Sequence, residues 1–276
     1  MIDTKLTYFG TNTIVIEKGT TKLIIDPHFS RPRVMHMLSK IGPNKERVAD
    51  GFSTLQITKL DAVLLTHTHY DHAMDVPEIL HQVGGTLYGS TSAMNLMGEE
   101  LLDTSRAQVV TMGKTYRIGN FRVVFHPSRH IAFPPPLNWI IRNKYQIKHP
   151  LVPPAWFWHY QSGEVYAIQI DRTLIFGSAA CVPGAYQGLE VQTVVLGIGG
   201  LGGKSHAYLE KLYQHTVLGS GARYVWLSHW DNFFTPGHRG VVPLGSARRI
   251  IRRIVNLGNY YGQSVNVLPY GRPLQF

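Results

Sequence analysis

The sequence of 276 residues predicts an α/β fold, a four-layer αββα sandwich in which helices cover two mixed β-sheets. Short apolar segments bounded by glycine- and asparagine-rich turns recur in both halves of the chain, which is typical of strands. Segments with a helical spacing of apolar residues follow strands in both halves. A chain of this length suits one large domain that spans residues 1–276.

The first half begins with an antiparallel series of strands, because three short apolar segments follow one another with only turns between them. A further strand starts at Ala62 and has the continuous apolar character of a buried strand. The predicted strands of this half are residues 6–9, 13–17, 23–25, 62–65, 108–111, 116–118 and 121–125, and its predicted helices are residues 76–82 and 92–102.

The second half repeats this plan, with strands that alternate with amphipathic helices. Its predicted strands are residues 164–170, 174–176, 193–196, 224–227 and 265–268, and its predicted helices are residues 205–218 and 246–257. Strands with helices on the outside favour two packed sheets, each covered by helices.

The composition is that of a globular protein, with 44% hydrophobic and 16% charged residues. No apolar run has the length of a membrane-crossing helix, and the first residues lack the basic and apolar parts of a secretory signal. Cys181 is the only cysteine, which excludes an internal disulfide framework. We therefore expect a cytoplasmic protein without a transmembrane segment.

Three histidines and an aspartate lie close together directly after the strand that starts at Ala62, in His67-Thr-His69-Tyr-Asp71-His72. His67 and His69 are two residues apart, so the end of the strand presents both on one side. Asp71 and His72 follow at the turn into a helix. Imidazole and carboxylate groups suit a divalent metal, most readily zinc, with manganese or iron as alternatives. The motif predicts a metal site.

The pattern His-x-His-x-Asp-His resembles the signature of the metallo-β-lactamase-fold hydrolase superfamily. His130, which follows a β-hairpin, and His229, which ends a late strand, lie where that family has its remaining histidine ligands. The resemblance spans residue 6 to about residue 229, and His229-Trp followed by aromatic residues is similar to the branch with ascorbate-6-phosphate lactonase and N-acyl-phosphatidylethanolamine phospholipase D. It implies two triads, His67, His69 and His130 for one metal, and Asp71, His72 and His229 for another.

One departure from the family concerns its metal-bridging aspartate, which usually lies in a Gly-Asp-Thr segment after a strand. This chain has Gly177-Ser178-Ala179-Ala180-Cys181 there. Fewer carboxylate ligands weaken the binding of a divalent ion, so we expect either one ion or a second ion that is loosely held. Cys181 is either a substitute ligand or a small apolar residue. Ser178 leaves room for the substrate.

Several residues outside the triads are candidates for supporting or substrate-binding roles. Asp26 ends a strand before a proline, so it either supports the histidine loop or opens a turn, and His28 faces the same cleft. Gly199 and Gly200 belong to a glycine-rich segment before a helix. That segment is either a tight turn or a close approach of the backbone to the metals, where free amides and Lys204 would receive a phosphate or carboxylate.

Residues 129–160 are rich in proline and aromatic residues, include Arg142, Lys144 and Lys148, and have no acidic residue. Because this stretch directly follows His130, residues 131–160 are predicted to form a lid-like insertion over the cleft. A dimer contact is the alternative, which makes the protein a possible homo-oligomer.

The formal net charge of +10 makes anionic partners natural candidates. In the last predicted helix four arginines share one face, at positions 248, 249, 252 and 253, and the other face is apolar. An ordinary solvated helix face explains this pattern, and contact with anionic lipid or nucleic acid is the alternative.

Together these features predict a metal-dependent hydrolase. Asp71 and the metal would activate water for attack on a carbonyl carbon or a phosphorus atom. Asp231 would orient a ligand, protonate the leaving group or make a structural hydrogen bond. The expected substrate is a small anionic phosphodiester, lactone or other ester, phosphorylated or lipid-like.

Three other functions remain open. A nuclease of the same fold would account for the positive charge, although no additional nucleic-acid-binding domain is visible, so nucleic acid is not the favoured partner. A catalytically silent metal- or ligand-binding protein would account for the missing bridging aspartate. A di-iron oxidoreductase would need more acidic ligands than the sequence provides.

Overall fold

The computed structural model describes residues 4–96, 106–141, 146–235 and 241–275 and contains two seven-stranded mixed sheets. The first sheet has the strand order β16-β1-β2-β3-β5-β6-β7, with antiparallel pairing from β16 to β3 and parallel pairing from β3 to β7. Its strands are β1 (Thr4–Tyr8), β2 (Ile14–Lys18), β3 (Thr21–Ile25), β5 (Ala62–Leu64), β6 (Thr86–Gly89), β7 (Ala107–Val109) and β16 (Pro273–Gln275).

The second sheet has the order β15-β14-β13-β12-β11-β9-β8 and repeats this mixed plan. The four strands from β8 to β12 pair antiparallel, and those from β12 to β15 pair in parallel. Its strands are β8 (Thr115–Ile118), β9 (Phe121–Pro127), β11 (Tyr166–Ile170), β12 (Thr173–Phe176), β13 (Thr193–Gly197), β14 (Tyr224–Ser228) and β15 (Ser264–Val267). A short ribbon pairs β4 (Lys40–Ile41) with β10 (Ala155–Trp156).

The helices connect the strands. The α-helices are α1 (Lys45–Leu55), α2 (Tyr70–Ala73), α3 (Val76–Val83), α4 (Thr91–Asn95), α5 (Leu137–Ile140), α6 (His206–Tyr213) and α7 (Ala247–Tyr261). A π-helical turn, Gln214–Leu218, continues α6, and the described ranges also contain 3-10 helices at Val34–Leu38, Phe157–His159 and Leu201–Gly203. No helix in the described ranges is long and apolar enough to cross a membrane.

Three hydrophobic cores show that the elements stack in four layers. Alternate residues of β2 point to opposite faces, so Ile14 and Ile16 join the core between the sheets while Val15 joins the core beneath α1 and α3. On the other side, Ile250 and Ile254 of α7 pack on the outer face of the second sheet. The predicted αββα sandwich is confirmed.

Three elements of the first sheet and of the helices that cover it are not predicted from the sequence, namely α1, β6 and β16. Helix α1 has a clear N-cap, since the Asn44 side chain accepts a hydrogen bond from the Arg47 amide, but Gly51 interrupts its apolar pattern. A Cβ atom at Gly51 would lie 2.3 Å from the Phe29 ring, so tight packing excludes a larger residue there. The predicted helix 92–102 corresponds to α4 at its start, and residues 97–105 lie outside the described ranges.

The insertion predicted at residues 131–160 contributes α5, β10 and a 3-10 turn in its described parts. It contacts the first half of the chain, because Ala155 pairs with Ile41. Trp156 and Trp158 stack with their ring centroids 4.7 Å apart. Residues 142–145, which include Arg142 and Lys144, lie outside the described ranges.

Close packing of α7 on β15 predicts that Gly258→Ala destabilises the protein by about 1–3 kcal/mol. A Cβ atom at Gly258 would lie 2.2 Å from Cγ2 of Val265, and this clash outweighs the roughly 1 kcal/mol that alanine gains in helix propensity. Urea unfolding measures the change. Gly245→Ala is the control, since a Cβ atom there would have no neighbouring atom within 4 Å, and equal stability losses in both variants would contradict the packing argument.

Candidate metal centre

The loop after β5 and the start of α2 carry four of the six predicted ligands. The amide of Thr66 donates to Oδ1 of Asp26 at 2.7 Å, which fixes the loop against the end of β3. His69 precedes α2, and Asp71 and His72 lie in its only turn. Because this helix is so short, its residues stay next to the strand end, and His67 and His72 come within 4.0 Å between ring centroids.

The first predicted triad is assembled in the structure. One nitrogen from each of His67, His69 and His130 lies within 4.8 Å of the other two. His130 reaches this position from the loop after β9, and its ring centroid lies 4.4 Å from that of His69. The three imidazoles come from two different sheets, so the triad lies at one open end of the sandwich.

Hydrogen bonds at the other ring nitrogens orient these imidazoles. Nδ1 of His67 lies 3.0 Å from the Thr66 hydroxyl, Nε2 of His69 lies 3.0 Å from the Ile141 carbonyl oxygen, and Nδ1 of His130 lies 2.9 Å from the Ile131 carbonyl oxygen. A carbonyl oxygen only accepts, so His69 and His130 are the donors. Each therefore keeps a lone pair on its other nitrogen. Nε2 of His67 is buried without any hydrogen-bond partner in the described ranges.

The second predicted triad, Asp71, His72 and His229, also comes together. One oxygen of Asp71 lies 3.7 Å from Nε2 of His72 and 3.4 Å from Nε2 of His229. His229 follows β14 with φ of +55°, a left-handed conformation that non-glycine residues rarely adopt. His72 links the two triads, because its ring also lies next to His67.

Asp26 is the hydrogen-bond acceptor beneath both triads. Besides the Thr66 amide, its carboxylate accepts from the Thr66 hydroxyl at 2.5 Å, from Nδ1 of His72 at 2.8 Å and from Nδ2 of Asn12 at 2.8 Å. Asn12 is held in turn by the Ser228 hydroxyl at 2.8 Å. Asp26 is fully buried, and its oxygens are occupied by these donors.

Burial and mutual repulsion keep most of these imidazoles neutral. Burial, reinforced by the neighbouring histidines, holds the pKa of His67 and of His130 well below the ordinary value. Burial likewise lowers the pKa of His69 to about 4. His72 differs, because Asp71 and Asp26 outweigh its burial and raise its pKa. The same ion-pair geometry, with His72 and His229 outweighing burial, lowers the pKa of Asp71.

The donor set fits a divalent transition metal. Metal binding requires neutral imidazoles and ionised carboxylates, which are the protonation states that the pKa shifts of His67, His69, His130 and Asp71 favour. Nε2 of His67 is buried without a hydrogen-bond partner in the described ranges, which is energetically costly unless a metal ion binds to it. Hydrogen bonds on the outer nitrogens match the supporting contacts that ligand histidines have in proteins.

A cavity of about 460 Å³ opens above the triads. Gly177, Ser178, Gly199 and Gly200 lie in its wall beside the histidines. A Cβ atom at Gly199 would lie 2.8 Å from Nδ1 of His229, so only glycine permits this approach. The rest of the wall is almost entirely apolar, and the described lining residues include no lysine or arginine; the apolar and aromatic ones are Met37, Tyr70, Ile131, Phe133, Leu137, Ile141, Phe157, Tyr160, Phe233, Phe234 and Leu244.

Asp231 does not line this cavity. This position does not suit the role of protonating a leaving group that the sequence suggested for it. Its carboxylate is fully buried and binds Nη2 of Arg31 at 2.7 Å, the Tyr8 hydroxyl at 2.5 Å and the Thr11 amide at 2.8 Å. Tyr8 in turn accepts a hydrogen bond from the His229 amide at 3.1 Å. Asp231 therefore supports the backbone of His229 and does not face the cavity.

Three other predicted residues also lie outside the cavity wall. The ammonium group of Lys204 donates to the Ala132 carbonyl oxygen at 2.5 Å, so it braces the segment after His130. Cys181 belongs to neither triad, and burial raises its pKa to about 11, which disfavours the thiolate that binds metals. His28 is fully buried, and neither of its ring nitrogens has a hydrogen-bond partner in the described part of the chain.

Sequence reasoning missed the residues that hold the ligands in place. Asn12, Tyr8 and Arg31 have no spacing relative to the histidines that would mark them, and nothing in the sequence shows that Thr66, next to His67, connects this histidine to Asp26. The buried position of Arg31 is visible only in the structure, because arginine is usually exposed.

The comparisons with known proteins agree with this geometry. The family model described as the metallo-beta-lactamase superfamily matches residues 6–184. A UPF0173 metal-dependent hydrolase of Oenococcus oeni is 27% identical over 128 residues, which are 46% of this chain and 49% of that protein. The exodeoxyribonuclease WalJ of Streptococcus pneumoniae is 26% identical over 128 residues, 45% of this chain and 43% of that one. The chain thus spans about half the length of the curated relatives that it matches, or less.

Among solved structures, a metallo hydrolase of the archaeon Ignicoccus hospitalis aligns with a TM-score of 0.58 at 16% identity, over 99% of this chain and 98% of that one. An αββα sandwich with a histidine-rich metal-binding cluster at the open end of its sheets defines a class of metalloproteins. Within that class, this chain belongs to the metallo-beta-lactamase superfamily. The likeness to the lactonase and phospholipase branch stays a prediction.

If Asp231 has a structural role, breaking its buried ion pair with Arg31 should destabilise the protein. A purely catalytic role for Asp231 would not have this effect. Asp231→Asn is expected to lower the free energy of unfolding by about 3–5 kcal/mol, because it leaves the buried guanidinium without its counter-ion. Asp171→Asn is the control, since its pair with Lys18 is partly exposed and contributes about 1 kcal/mol or less. Unchanged urea unfolding in Asp231→Asn would contradict the structural role.

The metal-free protein is expected to lose stability as the pH falls. Burial lowers the pKa of His28 to about 3 in the folded state, whereas an unfolded histidine titrates near about 6.5. Between these values the unfolded chain binds a proton that folded His28 refuses, which costs up to about 1.4 kcal/mol per pH unit. His28→Gln should therefore flatten the dependence of unfolding free energy on pH below about 6.5. Parallel curves for the variant and the wild type would refute this account.

Proposed function

We propose that this protein is a metal-dependent hydrolase that holds one or two divalent ions, most readily zinc. The observation that carries the proposal is that residues from three separate segments of the chain form two adjoining three-residue donor groups at the base of one cavity. His67, His69 and His130 form the first metal site of this proposal, and Asp71, His72 and His229 form the second. Imidazoles and a single carboxylate also suit manganese or iron.

The two sites differ in the type and charge of the donors that they offer. The first consists of three imidazoles that burial keeps neutral, and the second contains the ionised carboxylate of Asp71. Ser178 follows β12, where the family resemblance implies a bridging aspartate that this chain lacks, and its hydroxyl already accepts a hydrogen bond from the Ile131 amide at 3.0 Å. We therefore assign weaker binding to the second ion, because no bridging negative charge joins the sites.

Bound in this cluster, a divalent ion supplies Lewis acidity and makes water a better nucleophile near neutral pH. Asp71 lies in the cavity wall with a lowered pKa, so its carboxylate is ionised and available to hold the ion and to orient a water molecule. Asp26 keeps His72 fixed beside it through the hydrogen bond at 2.8 Å. Gly199 lets the backbone approach His229 closely, Gly200 does the same at Phe133, and the absence of side chains at these two wall positions would leave room for the substrate.

The cavity wall favours an ester, lactone or phosphodiester whose group next to the scissile bond is apolar. Burial of an apolar group against this wall would contribute about 25 cal/mol for each Å² removed from water. The described lining offers no lysine or arginine for an anionic group, so the anionic part of the expected substrate would lie at the cavity mouth. The segment 131–160 contributes much of the wall, including Phe133, Leu137, Ile141 and Phe157, which supports its role as a lid.

A nuclease is the second candidate function. A groove of about 950 Å³ shares His130 with the metal centre and is lined by Arg129, Lys211 and His215, a basic path suited to a phosphate backbone. The similarity to a protein named as an exodeoxyribonuclease supports this candidate. Cleavage of DNA with binding that weakens steeply as salt rises would favour it over the ester hydrolase.

A cytoplasmic location and a homo-oligomeric state stay predictions. If the metal-loaded protein binds ligands but hydrolyses none of the esters, lactones or phosphodiesters tested, we would infer a catalytically silent metal-binding protein.

Removal of one ligand histidine tests the proposal. His130→Ala should lower the bound metal at the first site, measured by elemental analysis after dialysis, and should reduce the hydrolysis of aromatic esters, lactones or phosphodiesters by at least about a hundredfold. The control is His126→Ala, four residues earlier, because its Nε2 contacts Oε1 of Gln169 at 2.9 Å and lies in neither donor group. Equal metal content in His130→Ala and His126→Ala would contradict the ligand assignment.

A further inference from the structure

Two short helices stand at the mouth of the cavity. The 3-10 helix Val34–Leu38 contributes Met37 to the cavity wall. Helix α5, Leu137–Ile140, contributes Leu137, and the next residue, Ile141, also lines the cavity. The two helices are far apart in the sequence, so their presence at one opening is a product of the fold.

The outer sides of these helices expose large apolar side chains. The exposed fraction is 87% for Leu38, 63% for Met35 and 62% for Trp139, and neither helix contains a buried residue. Isolated exposed apolar residues are ordinary, but a group around the opening of an apolar cavity indicates an interaction surface. We call this group the rim surface; it consists of Val34, Met35, Leu38, Leu137, Trp139 and Ile140.

The two segments of the chain that carry the rim surface contain only positive charges. Residues 27–44 and 131–160 contain no aspartate or glutamate. Arg33 directly precedes the first helix and is exposed, Lys40 is exposed just after it, and Lys148 is exposed in the second segment. Apolar side chains bordered by cations match the interface of an anionic bilayer, where the apolar groups enter the acyl boundary and the cations meet the headgroups.

We propose that the rim surface docks on an anionic lipid bilayer. Trp139 lies among the exposed residues, and tryptophan suits the membrane interface because one part of its ring system is apolar and its N–H is polar. Docking through this surface turns the mouth of the cavity towards the membrane. An amphiphilic substrate then passes from lipid into the apolar cavity without its apolar part crossing water. Docking requires only the residues around the cavity mouth, so it does not depend on a bound metal or on catalysis.

Vesicle sedimentation with metal-free protein tests the proposal. We expect the wild type to sediment more strongly with vesicles of phosphatidylcholine and phosphatidylglycerol than with phosphatidylcholine alone. Met35→Glu and Leu38→Glu should each lower the partition coefficient by about five- to tenfold, because each removes apolar area and adds a repelled charge. Since no metal is present, the result is independent of whether the protein hydrolyses anything.

Met112→Glu is the matched control. Met112 is 50% exposed outside the rim surface, so its variant has the same substitution and net charge as Met35→Glu and should bind vesicles like the wild type. Circular dichroism confirms that all three variants are folded. Absence of vesicle binding by the wild type overturns the proposal. Equal vesicle binding by the wild type and all three variants would also overturn it. A dimer in analytical ultracentrifugation that Met35→Glu dissociates would overturn it as well, because a second copy of the chain would then occupy this surface.

Discussion

The carboxylate of Asp26 is the contact on which the metal centre depends. It accepts a hydrogen bond directly from His72 and is joined to His67 through the hydroxyl of Thr66. Because the Thr66 hydroxyl donates to Asp26, it accepts from Nδ1 of His67, which leaves Nε2 of that ring with a free lone pair. One buried carboxylate thus sets the orientation of an imidazole in each triad, and its negative charge offsets the repulsion that crowded imidazoles experience when one of them is protonated.

A second buried carboxylate, Asp231, performs a different task. It brings together Arg31 from the loop after β3, Tyr8 from the end of β1 and the backbone that carries His229. These groups belong to the two different halves of the sandwich, so the pair closes the sheets at the end where the metal centre lies. His229 can keep its left-handed backbone conformation because its amide is held by Tyr8.

The cavity and the rest of the surface have opposite character. The net charge is +10, yet the described wall of the cavity is apolar apart from the metal-binding groups and a few small residues. In such surroundings the charge on Asp71 is poorly screened, which strengthens its interaction with His72 and His229. The basic residues lie outside the cavity, in the groove beyond His130 and near the rim surface. The groups suited to catalysis therefore lie inside the cavity, and the charged groups suited to positioning a substrate lie outside it.

The amino-acid sequence alone predicts the αββα plan and draws attention to His67, His69, Asp71 and His72, because alternation of apolar residues and the spacing of ligands are local properties. Resemblance to a family adds His130 and His229. The pairing of Asp231 with Arg31 and the contact of Lys204 with Ala132 are visible only once the chain is folded. The same holds for the shared cavity wall to which Val34–Leu38 contributes Met37 and α5 contributes Leu137. Contacts between residues 72 or 200 positions apart leave no periodic trace in a single sequence, since they depend on how the chain folds back on itself and not on any local pattern.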